Sequence, residues 1–235
     1  MGTLLLRLKG PMQSWGTTSR FTHRDTNKEP SKSGVIGLLA SAFGYDRENW
    51  NDLQPLTDLR MGVRCDKSGV LKVDYQTSGC IYGDQQQKYG IIKASGSEPD
   101  KNLVVSNRFY IADASFIVGL EGDDLSLLKK AHQALYNPKW PLALGRKSYI
   151  PSEPVFLNDG LYFDKTLEDA LKNHPWIENG KPPEKLLFSF ETKDFSGRML
   201  MDQPLSSFSE RKFGSRFVIS KFLPMVKGEC LHVSL

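Results

Sequence analysis

Residues 3–9 read Thr-Leu-Leu-Leu-Arg-Leu-Lys. In an extended chain Leu4, Leu6 and Leu8 face one way, while Leu5, Arg7 and Lys9 face the other. That period of two marks a half-buried strand with a basic outer side. Gly10-Pro11 is expected to end it. Working outward, residues 10–33 are polar and irregular, and then Val35, Ile36, Leu38, Leu39, Ala42 and Phe43 follow helical spacing. Ser31 or Ser33 suits the cap of that helix, and Gly44 its close.

Arg60 to Asp66 and Val70 to Tyr75 read as strands about a Lys67-Ser68-Gly69 turn. Phe109 to Leu120 is a further strand. Asp123 or Asp124 then caps a helix through Leu127, Leu128, Ala131, Ala134 and Leu135, stopped by Asn137-Pro138. Val155-Phe156-Leu157 reads as a fourth core strand. The order strand, helix, strand, strand, helix, strand predicts an α+β, ferredoxin-like domain, a pattern also used by RNA-recognition modules.

That domain is expected over residues 1–157, with an insertion at 78–107 that is rich in Gly, Gln and Ser. Thirty residues without periodicity inside a domain fit either a functional extension or a disordered loop. Residues 158–235 are expected to form a small C-terminal appendage completing the fold. It holds a short helix near Thr166 to Lys172 and strands at Leu186 to Thr192 and Arg216 to Ser220.

Composition narrows the function. The 235 residues are 39% hydrophobic and 25% charged, ordinary for a globular protein. No apolar run approaches the ~20 residues of a membrane helix. Met1 to Leu8 shows no signal-peptide cleavage pattern, so a cytoplasmic location with no membrane partner is expected. The three cysteines, Cys65, Cys80 and Cys230, form no C-x-x-C pair. Neither a disulfide framework nor a metal site is expected, and no cofactor.

The net charge of +4 is unevenly spread. Residues 1–33 hold six Lys/Arg against two acids, 138–149 hold three against none, and 203–235 hold five against two. Basic stretches that converge on one face attract phosphates; otherwise they are solvated surface.

The first strand lacks the aromatic residues on which RNA-recognition modules stack bases, so RNA is expected elsewhere. In the loop 10–33, Trp15 offers a stacking surface, Gln13 and Ser14 hydrogen bonds, and Arg20 and Arg24 charge. The helix start at Ser31-Lys32-Ser33-Gly34 offers free amides and a dipole for a phosphate. Leu144-Gly145-Arg146-Lys147-Ser148 is a second candidate, with Arg146 able to hold a phosphate through two parallel hydrogen bonds. Trp15 also fits a core position, Ser33 a cap, and the 144–148 stretch a plain surface turn.

Catalytic signatures are thin. The histidines His23, His132, His174 and His232 lie far apart, and no hydrolase, metalloprotease or nucleotide-binding fingerprint occurs. Metal-independent RNA cleavage needs only a few groups, such as His23, Lys32 and Tyr45, about a 2′-hydroxyl. An endoribonuclease therefore stays open as a rival.

Taken in order, Leu4 to Leu8, Gly10 to Gly16, Pro30 to Gly34 with Gly37-Leu38-Leu39, Arg64-Cys65-Asp66, Asp113 to Phe116 and Leu144 to Ser148 with Pro154 and Phe156 resemble the CasD family of type I-E CRISPR complexes (Cascade). The resemblance covers about residues 3–157; residues 158–235 match loosely. It implies a non-catalytic subunit that binds the 5′ handle of CRISPR RNA and caps the complex's backbone. It contacts the backbone subunit and the large subunit, and meets target DNA indirectly. The implied RNA-binding residues are Gln13, Ser14, Trp15, Arg20, Arg24, Ser31, Lys32, Ser33, Gly34, Arg108, Arg146, Lys147 and Ser148. The insertion takes the place of the family's thumb, with Ile91, Ile92, Leu103 and Val104 as its apolar contacts. A related subtype, I-C, uses the equivalent subunit to process repeat RNA. A free-standing RNA-binding module is the other rival.

Overall fold

The first strand outruns its alternation. In a computed structural model, which describes residues 1–17, 19, 22–79 and 104–225, β1 extends over Gly2–Gln13. It passes straight through Gly10-Pro11, which therefore does not end it. Pro11 is exposed, and β6 pairs only with Gly2 to Leu4, so the missing Pro11 N–H breaks no ladder. On its other edge β1 pairs antiparallel with β5 (Val104–Gly122), from Gly2 opposite Gly122 to Gln13 opposite Ile111.

The remaining elements follow in chain order: β2 (His23–Arg24), α1 (Lys32–Phe43), α2 (Trp50–Thr57), β3 (Arg60–Lys67), β4 (Val70–Ser78), β5, α3 (Leu125–Tyr136), β6 (Leu161–Phe163), α4 (Leu167–Asn173), β7 (Lys185–Thr192), β8 (Arg198–Pro204) and β9 (Phe213–Pro224). Among the described residues this is a mixed α/β molecule with one large sheet and four helices. The sheet order is β6-β1-β5-β3-β7-β9-β8, while β2 and β4 flank the N-terminal half of β5. Every pairing is antiparallel except β2 with β5.

Capping explains the helix limits. Ser31 is the N-cap of α1, its Oγ accepting from Gly34 N at 3.3 Å, and Gly44 closes it in the left-handed region at φ 73°. Asp124 caps α3, accepting from the amides of Ser126 and Leu127 at 2.9 Å each. Pro55 lies inside α2 and interrupts the helical pattern that would announce it.

The alternation of β1 places its leucines in two cores. Leu4, Leu6 and Leu8 join Phe116, Val118 and Leu120 of β5 beneath α1, α2 and α3. Leu5 and Ile117 face the other way, under α4 with Phe188 and Phe190. Each such fully buried side chain stabilises by about 1.5–3 kcal/mol. The sheet continues from β3 into β7, so residues beyond 158 share its hydrogen bonding.

Val155-Phe156-Leu157 is not a strand. Arg7 N donates to Val155 O (2.9 Å), yet the segment turns away, and β6 takes the edge of the sheet. The basic outer side of β1 is also neutralised: Arg7 pairs with Glu153 (2.6 Å), and Lys9 with Glu153 (2.7 Å) and Glu178 (3.2 Å). Much of the insertion, including Ile91, Ile92 and Leu103, lies outside the described residues, as do Cys80, Cys230 and His232. Val104 opens β5 opposite Ser78.

Candidate nucleic-acid interface

The loop after β1 folds inward. Gln13 is fully buried and its amide is spent internally. Nε2 donates to Leu8 O (3.0 Å) and Ala114 O (2.8 Å), and Oε1 accepts from Trp15 Nε1 (3.1 Å). Trp15 is a core residue, 1% exposed, lying so close to Gly34 that a Cβ there would stand 2.8 Å from its ring. The small size of Gly34 thus admits an indole rather than a phosphate. Ser14 is buried; its Oγ donates to Phe109 O (3.2 Å) and its N–H to Leu144 O (3.0 Å). Gln13, Ser14 and Trp15 are buried and bonded within the chain, where they shape the loop.

The start of α1 is already occupied by an internal anion. Asp202 of β8, fully buried, accepts from Lys32 N at 2.8 Å. Arg216 of β9 holds the same carboxylate by Nε (2.6 Å) and Nη2 (2.9 Å). The Lys32 ammonium, 2% exposed, reaches both carboxylate oxygens of Glu191 at 3.0 and 3.1 Å. Burial lowers its pKa despite that partner. Ser31 is buried as the cap, Ser33 is half-buried, and the expected phosphate seat is a closed structural network. Its partners lie some 160–170 residues away in the chain, in the part whose family resemblance is loose.

A different cluster is open to solvent. β2 pairs with β5 so that Arg24 stands opposite Arg108. Arg24 is exposed; Arg108 is half-buried and donates from Nε to Ser106 Oγ (3.1 Å). On its other side Arg108 faces Asp74, whose carboxylate is engaged by the Gln76 amide. The 144–148 loop joins this pair through Arg146. Its Nη2 donates to Arg24 O (3.2 Å) and Phe109 O (3.1 Å), and its Nη1 to Tyr149 OH (2.8 Å), with the guanidinium 5.4 Å over the Tyr149 ring.

Gly145, at φ 93°, is required for this closeness: a Cβ there would meet Ser14 O at 1.7 Å. Lys147 and Ser148 are exposed at the tip. Neither Arg24, Arg108 nor Lys147 makes an ion pair with a described residue. Three cationic side chains, gathered on two strands and a turn and outnumbering the one acid opposite them, Asp74, form an anion-attracting surface. Arg146 fixes their spacing. Arg20 lies outside the described residues. Thr26, Asn27 and Tyr149, which tie the loop down, were not foreseen; Trp15 N donates to Thr26 Oγ1 (2.9 Å) and Asn27 N to Trp15 O (3.2 Å).

The imagined acid–base trio is dispersed. Lys32 begins α1 and Tyr45 follows its end, so the 12-residue helix holds them about 18 Å apart. Tyr45 stacks on Phe43 at 4.8 Å, and His23 meets Phe109 edge-on at 6.1 Å. No group of three or more His, Cys, Asp or Glu among the described residues is placed to hold a metal ion. No described helix is long and apolar enough to cross a membrane.

Comparison with known proteins identifies the family. Residues 3–219 match the family described as CRISPR-associated protein (Cas_Cas5). The chain is 29% identical over 216 residues to the CRISPR system Cascade subunit CasD of Escherichia coli strain K12, covering 91% of this chain and 92% of that one. A solved structure described as a crystal structure of a Cas protein is 46% identical, with a TM-score of 0.75 over 95% of each chain. A chain of a CRISPR RNA-guided surveillance complex is 31% identical, with a TM-score of 0.73 over 96% of this chain and 93% of that one.

Proposed function

The chain belongs to the CRISPR-associated protein family Cas_Cas5, and we propose that it serves as a non-catalytic, CRISPR RNA-binding subunit of a type I-E Cascade complex. The observation that carries this is the pairing of Arg24 with Arg108, joined by Lys147 through the Arg146 tie. Like charges placed opposite one another cost stability. A polyanion laid across them turns that cost into binding, and RNA phosphates fit the need.

Within that role the cluster takes the phosphates of the 5′ handle. The partners are the backbone subunit and the large subunit, with target DNA met only through the assembled complex. The cytoplasm is the expected location. Insertion residues 78–107, with Ile91, Ile92, Leu103 and Val104, are proposed as the contact to the backbone subunit.

The sheet order β6-β1-β5-β3, with α1 and α3 on one side, supports a ferredoxin-like core. Residues 1–157 then supply three of its strands. Residues 158–235 complete it with β6 and extend the sheet through β7, β9 and β8.

Cleavage activity is not part of the proposal, because Lys32 is sequestered and Tyr45 lies at the other end of α1 from it. A single-turnover assay of the full chain, in excess over repeat-derived RNA, tests this. Bound but intact RNA is expected. Cleavage would instead favour an endoribonuclease of the type I-C kind.

A further inference from the structure

The connection after α3 carries two features the handle cluster does not use. The first is an exposed tryptophan held by its backbone. Lys139 N donates to Ala42 O (3.0 Å) and Trp140 N to Ser41 O (3.1 Å), which also accepts from Gly44 N, so this connection is tied to the carbonyls at the end of α1. The Lys139 stem lies across Gly44, where a Cβ would stand 2.6 Å from its Cδ. Trp140 is nevertheless 43% exposed, and Tyr136, on the last turn of α3, is 65% exposed with its ring edge-on to Phe156 at 5.1 Å.

The second feature is charge. Residues 125–152 contain Lys129, Lys130, Lys139, Arg146 and Lys147 and not one Asp or Glu. A large exposed aromatic face, anchored through its backbone and flanked in sequence by lysine, is the arrangement on which an unpaired base stacks.

The two sites lie along one line. Trp140 is anchored at the C-terminal end of α1. Leu144 and Gly145 are anchored on Ser14, next to Trp15, which rests on Gly34 at the N-terminal end of α1. Residues 139–145, which are not helical, therefore run back along the helix as a strap. The 12-residue helix spans about 18 Å, within reach of six extended residues. That distance corresponds to about five stacked nucleotides at ~3.4 Å each.

We propose that Trp140, next to Lys139 in the chain, is a stacking site for an unpaired base of the same RNA strand whose phosphates lie on Arg24, Arg108 and Lys147. This rests on the RNA-binding function proposed above and adds a second point of contact at a fixed distance from the first.

The test uses the full chain, labelled repeat-derived RNA, and the same RNA trimmed from each end. Trp140→Ala is expected to bind the untrimmed RNA about fivefold to a hundredfold more weakly, the span of one lost base–aromatic stack. One trimmed RNA should bind the variant and the parent alike, because it no longer reaches the strap's far end. Trp140→Phe should restore most of the affinity. RNA should quench the parent's tryptophan emission, and Trp140→Phe should abolish most of that quenching. Equal affinity of Trp140→Ala and the parent for untrimmed RNA overturns the proposal. So does intact RNA binding with impaired assembly onto sibling subunits, which would make this a protein-docking surface. The handle cluster is judged separately: if Arg24→Ala with Arg108→Ala leaves all RNA affinities unchanged while Trp140→Ala weakens the longer one, the cluster assignment fails and the stacking site stands.

Discussion

Arg24 of β2 and Arg108 of β5 face each other across the one parallel pairing among the described strands, and neither forms an ion pair with a described residue, Asp74 opposite Arg108 being engaged by Gln76. This is unlike the other arginines of the sheet. Arg7, Arg60, Arg64, Arg198 and Arg216 each meet a carboxylate. Where the chain needs charge for its own fold it pairs it, and where it leaves charge unpaired the pair is set next to a glycine-permitted turn that carries a third cation.

Arg146 is predicted to act as a positioning residue. Its three hydrogen bonds join β2, β5 and its own turn. Arg146→Ala should lower the stability of the chain by about 2–3 kcal/mol in urea unfolding and weaken RNA binding as well. Arg146→Lys should restore little of either, since one ammonium cannot span the separate acceptors that the planar guanidinium reaches. Full restoration by lysine would mean that only the charge matters.

Asp202 is predicted to be structural. Asp202→Ala strips the buried Arg216 of its bidentate partner and the start of α1 of its acceptor. Removing one partner of a buried pair costs about 3–5 kcal/mol. Thermal unfolding of the variant should show that loss. A nearly unchanged midpoint would indicate that the network is dispensable and that the helix start is free to take another anion.

His174 should make stability fall in mild acid. The ring is 2% exposed, with Nδ1 on Tyr162 OH (3.2 Å) and Nε2 buried without a hydrogen-bond partner among the described residues. Burial first, and then the Arg64 guanidinium, push its pKa down from 6.5 to about 4. Between those values the unfolded chain holds the proton and the folded chain does not, so stability is lost as pH drops through that window. The loss reaches at most about 3 kcal/mol. Replacing His174 with Gln should flatten the difference in unfolding free energy between pH 7 and pH 4. An unaltered slope would place the acid sensitivity elsewhere.

Much of the fold was legible because its signals are local. The alternation of Leu4 to Lys9, Ser31 and Gly44 about α1, Asp124 before α3 and the Gly69 turn all act within a few residues. What was misread depends on partners distant in sequence. Nothing near Lys32 announces that Glu191 and Asp202 will bury it, and nothing near Trp15 says that Gly34 will receive its ring. Pro11 reads as a breaker unless the strand is known to have a bare edge there. Val155 to Leu157 has strand composition but follows β1 only briefly. Of the expected contacts, Arg24, Arg108 and Lys147 meet at one surface, while Gln13, Trp15 and Lys32 are consumed by the core. An amino-acid sequence displays charge without showing which charges are already paired.

The central claim is that Arg24, Arg108 and Lys147 together bind RNA phosphates, and salt dependence measures it most directly. The dissociation constant of the full chain for repeat-derived RNA should be followed across a range of salt concentrations, alongside the triple alanine variant at these positions. Three lost phosphate contacts on a single strand should reduce the slope of log affinity against log salt by about 2. A variant that binds more weakly with that reduced slope is the predicted result. A slope equal to the parent's would contradict the account and place the RNA on another face of the protein.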